Sequence, residues 1–161
     1  LMIRRPPRST PSNSSAASDV YKRQTGSMIS ASGVYLASDF PNSAVDDNTS
    51  TIAWHTDSST PGAYVKIDLG TGNEKGYVKA RIYASSSGNN GNYSVQYSDD
   101  NSNWSNATTG FTVSSSGWNE KSWDSVGSHR YWRFYLTNTP GSGPWLNELE
   151  MYARSTGWVG K

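Results

Sequence analysis

The chain reads as an all-β domain, a sandwich or barrel of many short strands. Three observations lead there. Apolar residues recur at every second position from Gly26 onward, clusters of Gly, Ser, Asn and Pro separate these runs, and no stretch places apolar residues at helical spacing over three turns. Alternation of this kind puts one side of each strand against a core and the other in water.

The runs follow one another in order. In AYVKIDLG (63–70), Val65, Ile67 and Leu69 point one way while Tyr64, Lys66 and Asp68 point the other. YVKARIYA (77–84) gathers Val78, Ala80, Ile82 and Ala84 on one face, and YSVQYS (93–98) gathers Tyr93, Val95 and Tyr97. Asp99-Asp100-Asn101 then supplies hairpin chemistry, because Asp and Asn bond their own backbone and tolerate left-handed conformations. FTV (111–113), WNEKSW (118–123), HRYWRFYLT (129–137) and LNELEMY (146–152) complete the series. No internal repeat is present, so residues 25–153 form one domain, followed by a tail over 154–161. Trp54, Trp104, Trp123 and Trp132 are assigned to the core; Trp118 is left undecided.

Composition fits this architecture. Only 17% of residues are charged and the mean hydropathy is −0.71, yet 7 Trp and 10 Tyr offer large surfaces to bury, which a disordered polyelectrolyte lacks. With no Cys there is no disulfide framework, thiolate metal site or thiol nucleophile. No apolar run approaches the roughly 20 residues that span a bilayer.

Residues 1–24 differ in character. They carry Arg4, Arg5, Arg8, Lys22 and Arg23 against Asp19 alone, with Pro6, Pro7 and Pro11 and no periodic apolar positions. Such a segment buries too little surface to fold, and it lacks the apolar stretch of a signal peptide. It resembles translated sequencing-adapter read-through and is set aside as a disordered, artefactual extension. Removing its five basic residues and one acidic residue from 14 and 13 leaves nine against twelve, so the formal +1 becomes −3. Nucleic acid, which needs a basic patch, is thereby disfavoured. Proteolytic removal of 1–24 is expected to leave the melting temperature unchanged; a fall of several degrees shows that the segment packs.

SAVDDNTSTIAWH (43–55) concentrates carboxylate, amide and hydroxyl oxygens in one loop. Calcium takes roughly six to eight oxygen ligands. Asp46, Asn48 and Thr51, with Ser43, supply part of such a cage, closed from a distance by Glu148. The alternative is an ordinary polar turn. An EF-hand is excluded, since Thr51 stands at the loop position that requires Gly and Asp57 where the terminal Glu belongs.

Catalysis has little support. His55 and His129 are the only side chains whose ordinary pKa suits general-base work near neutrality, and no Gly-x-Ser-x-Gly elbow is present. His129 reads as structural. Asp46–Asp47 reads as a cation loop, Asp99–Asp100 as a turn, and Glu148 with Glu150 as two residues on one strand face.

SAVDDNTST, WHT, AYVKIDLG, YSVQYSDDNSNW, RYWRFYL and LNELEMY occur in the order and spacing of a discoidin-like, or coagulation factor 5/8 type C, domain. Over about residues 28–153 the chain resembles this family, and most closely its bacterial carbohydrate-binding modules of family 32. Asp47 stands where the family usually has Gly, and Thr51 to Trp54 is one residue longer than the family pattern.

The resemblance implies a jelly-roll β-sandwich of about eight antiparallel strands and a structural calcium ion. It also implies a non-catalytic role, with loops at one end of the sandwich binding a glycan. His55 matches a position that touches a sugar hydroxyl in galactose-binding members, with Asp57 on the same loop. Asn89, Asn90 and Asn92 fall where those members commonly place an Arg, so the sugar class stays open. Trp145, in TPGSGPW (139–145), is either the stacking platform for a pyranose ring or a loop anchor. The resemblance further implies a secreted or cell-surface location in a bacterial or phage-like source, a monomer, and a catalytic or adhesin domain in the same parent chain. The alternative of the same fold is a protein- or cell-surface-interaction module of adhesin or phage-tail type. Membrane-binding relatives carry apolar loop tips, whereas these loops are polar, so membrane insertion is not expected.

Overall fold

The structure is a computed structural model that describes residues 25–32, 41–55, 61–85, 91–114, 116–138 and 145–153. Among these residues ten strands are present: β1 (Ile29–Ala31), β2 (Trp54–His55), β3 (Tyr64–Asp68), β4 (Tyr77–Ala84), β5 (Gly91–Ser98), β6 (Ser105–Val113), β7 (Gly117–Ser122), β8 (Tyr131–Asn138), β9 (Trp145–Leu146) and β10 (Glu148–Ala153). Two short 3-10 turns, Gly26–Met28 and Pro41–Val45, are the other regular elements described.

The strands form an antiparallel five-stranded sheet ordered β1-β3-β8-β5-β6, a three-stranded sheet β10-β4-β7 and a two-stranded ribbon β2-β9. The all-β sandwich expected from the sequence is therefore present. Val65, Ile67, Tyr93, Val95, Phe111, Trp132, Phe134 and Leu136 from the larger sheet share one buried cluster with Ala80, Ile82, Ala84, Leu149 and Met151 from the smaller. Trp132 is fully buried and meets Tyr77 edge to face across the sheets, with centroids 5.3 Å apart. Its indole N–H donates to the His129 carbonyl at 3.1 Å, so the ring is buried without stranding its polar atom.

Alternation predicts the inward faces of β3 and β8 residue by residue. On β4 it misplaces one residue: Tyr77 is buried and Val78 only half-buried. The pairing with β10 is irregular between Tyr152 and Ala153, and a slip of one residue turns side chains to the other face. Of the four Trp assigned to the core, Trp54 and Trp132 are fully buried and Trp123 packs against its edge. Trp104 is not part of the core: it lies outside the larger sheet over Arg133, with the guanidinium carbon 4.0 Å from the ring centroid. Trp118 is 38% exposed.

The end of the sandwich formed by the β3–β4, β5–β6 and β7–β8 connections is held by carboxylates. Asp68 takes two hydrogen bonds from Arg130, at 2.8 and 3.0 Å. Asp99 lies 2.9 Å from His129 Nδ1, whose ring also reaches the Val126 carbonyl and stacks on Tyr97. His129 is thus structural. Asp100 accepts from the backbone N–H groups of Ser102 and Asn103 and from the Asn103 amide, while Asn101 adopts a left-handed φ of 59°, as the hairpin reading requires.

All three carboxyls are held below their ordinary pKa, Asp68 chiefly by the Arg130 hydrogen bonds, Asp99 by His129 and Asp100 by the Asn103 N–H. A depressed folded-state pKa gives stability that is complete above the unfolded-state value and is lost as pH falls through the folded one. The urea midpoint is therefore expected to stay level down to about pH 4 and to drop below it, with Asp100→Ala flattening the drop. An unchanged acid limb in that variant shows that the turn does not couple protons to folding.

Candidate functional site

The opposite end of the sandwich gathers the connections β2–β3, β4–β5, β6–β7 and β8–β9. Three residues, 114–116, suffice to link Val113 of the larger sheet to Gly117 of the smaller, so these strand ends lie close together. Asn147 ties them further, since its backbone N–H donates to the Tyr83 carbonyl and its Oδ1 accepts from the Ser85 N–H at 3.0 Å.

Two of the sequence-predicted ligand residues meet directly. His55 and Trp145 are Cα partners in the β2-β9 ribbon. Residues that share a register position in an antiparallel pair lie about 4.5–5.5 Å apart, so strand pairing brings together residues 90 positions apart in the chain. Trp145 is half-buried, and its indole N–H donates to Ser85 Oγ at 3.1 Å, which fixes the ring's edge to the end of β4. Ser85 and Asn147 escaped the sequence reading. Their signal, a Ser after a strand and an Asn between Trp-Leu and Glu-Leu-Glu, has no meaning until β4 and β9 are known to be neighbours.

Asn92 stands at the start of β5 with its Oδ1 accepting from Thr112 Oγ1 at 2.7 Å and its carbonyl accepting from Thr137 Oγ1 at 2.9 Å. These bonds commit it to holding β6 and β8. Asp57, Asn89 and Asn90 lie outside the described residues, as do residues 1–24 and 154–161.

The oxygen-rich loop packs beside this end. Asp46 Oδ1 accepts from the Asn48 N–H at 2.9 Å, Asn48 Oδ1 accepts from the Ser50 N–H at 3.0 Å, the Asp46 N–H donates to the Ser43 carbonyl, and Thr51 Oγ1 donates to the Asn48 carbonyl. Successive Asp and Asn turns curl the chain tightly. Asp47 carries a φ of 68°, the left-handed backbone for which Gly is usual, and Asp is among the residues that tolerate it. Its N–H donates to Glu148 Oε1 at 3.3 Å, so the loop is tethered to the start of β10 across 101 positions.

Glu148 is 1% exposed. Burying a carboxylate is costly unless hydrogen bonds and opposite charge compensate it. Among the described residues no three His, Cys, Asp and Glu side chains form a metal-holding group. A cation here would therefore rest on Asp46 and Glu148 as charged donors and on neutral loop oxygens for the rest, a donor set that suits a hard ion and no thiophilic one. A pocket of about 250 Å³ lies at the other end, lined by Tyr97, Ser98, Asp99, Asp100, Asn103 and Ser105, none of them a predicted ligand residue.

The F5/8 type C domain family matches residues 28–151. No curated protein matches the chain. Among solved structures, chitosan-binding module 1 from a chitosanase/glucanase of Paenibacillus sp. IK-5 is similar at 19% identity and a TM-score of 0.63, over 81% of this chain and 99% of that one. A CBM32 module from Clostridium perfringens, in complex with GalNAc-β-1,3-galactose, is similar at 18% identity and a TM-score of 0.64, over 80% and 97%. The truncated AlyQ protein, with CBM32 and alginate lyase domains, is similar at 18% identity and a TM-score of 0.63, over 78% of this chain and 31% of that one. At these identities the likeness establishes the fold.

Proposed function

Because the chain belongs to the F5/8 type C domain family, we propose that it is a non-catalytic carbohydrate-binding module whose loop end holds a glycan, stabilised by a calcium ion. The observation that carries this reading is the His55–Trp145 cross-strand pair at the end of the sandwich. A tryptophan and a histidine at one register position are the residue types a pyranose needs, since one face of the sugar is apolar and its rim carries hydroxyls. Ser85 fixes the tryptophan's edge, and a ring held in one orientation loses little freedom when a ligand stacks on it.

Asp46, Asn48, Thr51, Ser43 and Glu148 would hold the calcium, which supplies charge compensation and order to the loop without touching the ligand. The solved carbohydrate-binding modules of this fold support the ligand class, and the alginate lyase domain accompanying one of them supports a parent chain with a further domain. A secreted or cell-surface location follows from the same reading. Among the described residues no helix is long and apolar enough to cross a membrane.

A glycan panel read at millimolar ligand tests the proposal. Binding by the intact domain, weakened by chelator and nearly abolished by Trp145→Ala, supports it. Silence across the panel favours the alternative, a protein- or cell-surface-interaction module of the same fold.

A further inference from the structure

The outer face of the larger sheet carries a second, separate constellation. Tyr64, Lys66 and Asp68 of β3 and Tyr131, Arg133 and Tyr135 of β8 alternate with buried core positions, so all six point away from the core. Lys66 and Arg133 are Cα partners. Like charges placed directly opposite on one sheet face repel, and protein faces usually relieve this with a carboxylate.

None does so here. The ion pairs among the described residues are Lys79–Glu120, Arg81–Glu150, His129–Asp99 and Arg130–Asp68, and Asp68, the carboxylate on this face, is held at both oxygens by Arg130. Lys66 donates to the Asn101 side-chain oxygen at 2.9 Å. Arg133 donates through Nε to Gln96 Oε1 at 2.7 Å, leaving its Nη groups unengaged among the described residues.

Aromatic rings surround that guanidinium. Its carbon lies 4.0 Å from the Trp104 centroid, 4.8 Å from Tyr135 and 5.3 Å from Tyr64. Burial pulls the Arg133 pKa below its ordinary value, the direction expected of a cation without a counter-charge. The Tyr64, Tyr131 and Tyr135 hydroxyls make no protein hydrogen bond among the described residues.

We infer that this face binds an acidic polysaccharide, with the Arg133 guanidinium taking a uronate carboxylate through its Nη groups, Lys66 adding a second charge and the tyrosines bearing on the sugar rings. Charge complementarity selects the occupant: a guanidinium with no ion-pair partner among the described residues stands opposite a lysine, on a chain that from residue 25 onward sums to −3 with both cations included. Six outward residues on two neighbouring strands suit an extended chain, whereas the loop end suits a compact unit. Lys66 and Arg133 sit in the middle of β3 and β8, whereas His55 and Trp145 belong to the separate β2-β9 ribbon.

The probe is polygalacturonate, with the same polymer fully methyl-esterified as its uncharged counterpart, read by affinity electrophoresis and calorimetry at low and high salt. Retention by the acid form alone, weakened by salt, is expected. Arg133→Gln should weaken it about tenfold or more, and Lys66→Gln, which leaves the aromatic stack intact, by a smaller factor. Trp145→Ala should leave it unchanged. Melting curves of each variant separate lost binding from lost folding. No retention by the acid polymer, equal retention of the ester, or retention undiminished in both Arg133→Gln and Lys66→Gln overturns the inference. Loss in Trp145→Ala overturns it as well, since it moves the acidic sugar to the loop end.

Discussion

Chelation is expected to lower the melting temperature of this domain by on the order of 10 °C when calcium had been present at a hundredfold excess over its Kd. A ligand that binds only the folded state stabilises it by RT ln(1 + [L]/Kd), about 2.7 kcal/mol at that ratio, and a domain of this size shifts by a few degrees per kcal/mol. Glu148 is the residue on which the effect depends, a carboxylate 1% exposed that accepts from the Asp47 N–H of the oxygen-rich loop.

Glu148→Gln separates the two parts of that role. The amide oxygen still accepts the Asp47 N–H, but the negative donor is gone. In calcium the variant should melt near the chelated wild-type protein, and EDTA should change its own melting temperature little, because the charged donor that makes the stability calcium-dependent is gone. Asp46→Ala should lose stability in calcium as well, with a further cost in EDTA from the missing Asp46 to Asn48 turn bond. Wild-type curves that coincide with and without calcium reduce the loop to a polar turn.

Legibility in the sequence followed how local each determinant is. β3 and β8 were readable to the residue, because a strand buried on one face reports its orientation through period two alone. β4 was misread at Tyr77 and Val78, where the cause is an irregular pairing with β10, a partner some 70 residues away. Strand-like alternation and nearby family core positions assign Trp104 to the core, yet the chain after the Asp99–Asn101 turn carries it over Arg133 on the outer face. Turn chemistry predicts that a chain reverses and not where its next side chain lands.

The site shows the same division. Asp46, Asn48 and Thr51 are close in sequence, and their mutual bonds are those expected of Asp and Asn turns. Asp47 stands where the family usually has Gly, and its φ of 68° is the left-handed backbone that Asp tolerates better than most non-Gly residues. The meeting of His55 with Trp145 depends on strand pairing across 90 residues, and the roles of Ser85 and Asn147 depend on that pairing too. Composition contains none of this; the resemblance points to His55 and the Gly/Pro-rich loop to Trp145, without pairing them.

Trp145→Ala is expected to remove most of the glycan affinity, taking a Kd of about 0.1–1 mM, roughly 4–5.5 kcal/mol, beyond detection at millimolar ligand. A shallow loop-end site that stacks a sugar on one ring concentrates its apolar contact there, while water competes for its hydrogen bonds. Trp145→Phe keeps a ring but loses the N–H held by Ser85 Oγ, so it should bind more weakly than wild type and better than the alanine variant. His55→Ala, the cross-strand partner, should cost about 1 kcal/mol, one hydrogen bond that solvent partly replaces. The Trp145 variants should melt close to wild type, because Trp145 is only half-buried and does not belong to the buried core, and melting curves of His55→Ala separate lost binding from lost folding. Chelator should weaken binding less than Trp145→Ala does, since the residues proposed for calcium are not those proposed for the sugar. Binding that survives both Trp145→Ala and His55→Ala moves the ligand off this end of the sandwich. An equal loss in Trp145→Phe and Trp145→Ala would instead make the Ser85 hydrogen bond, and with it the ring's orientation, the decisive element in place of stacking area.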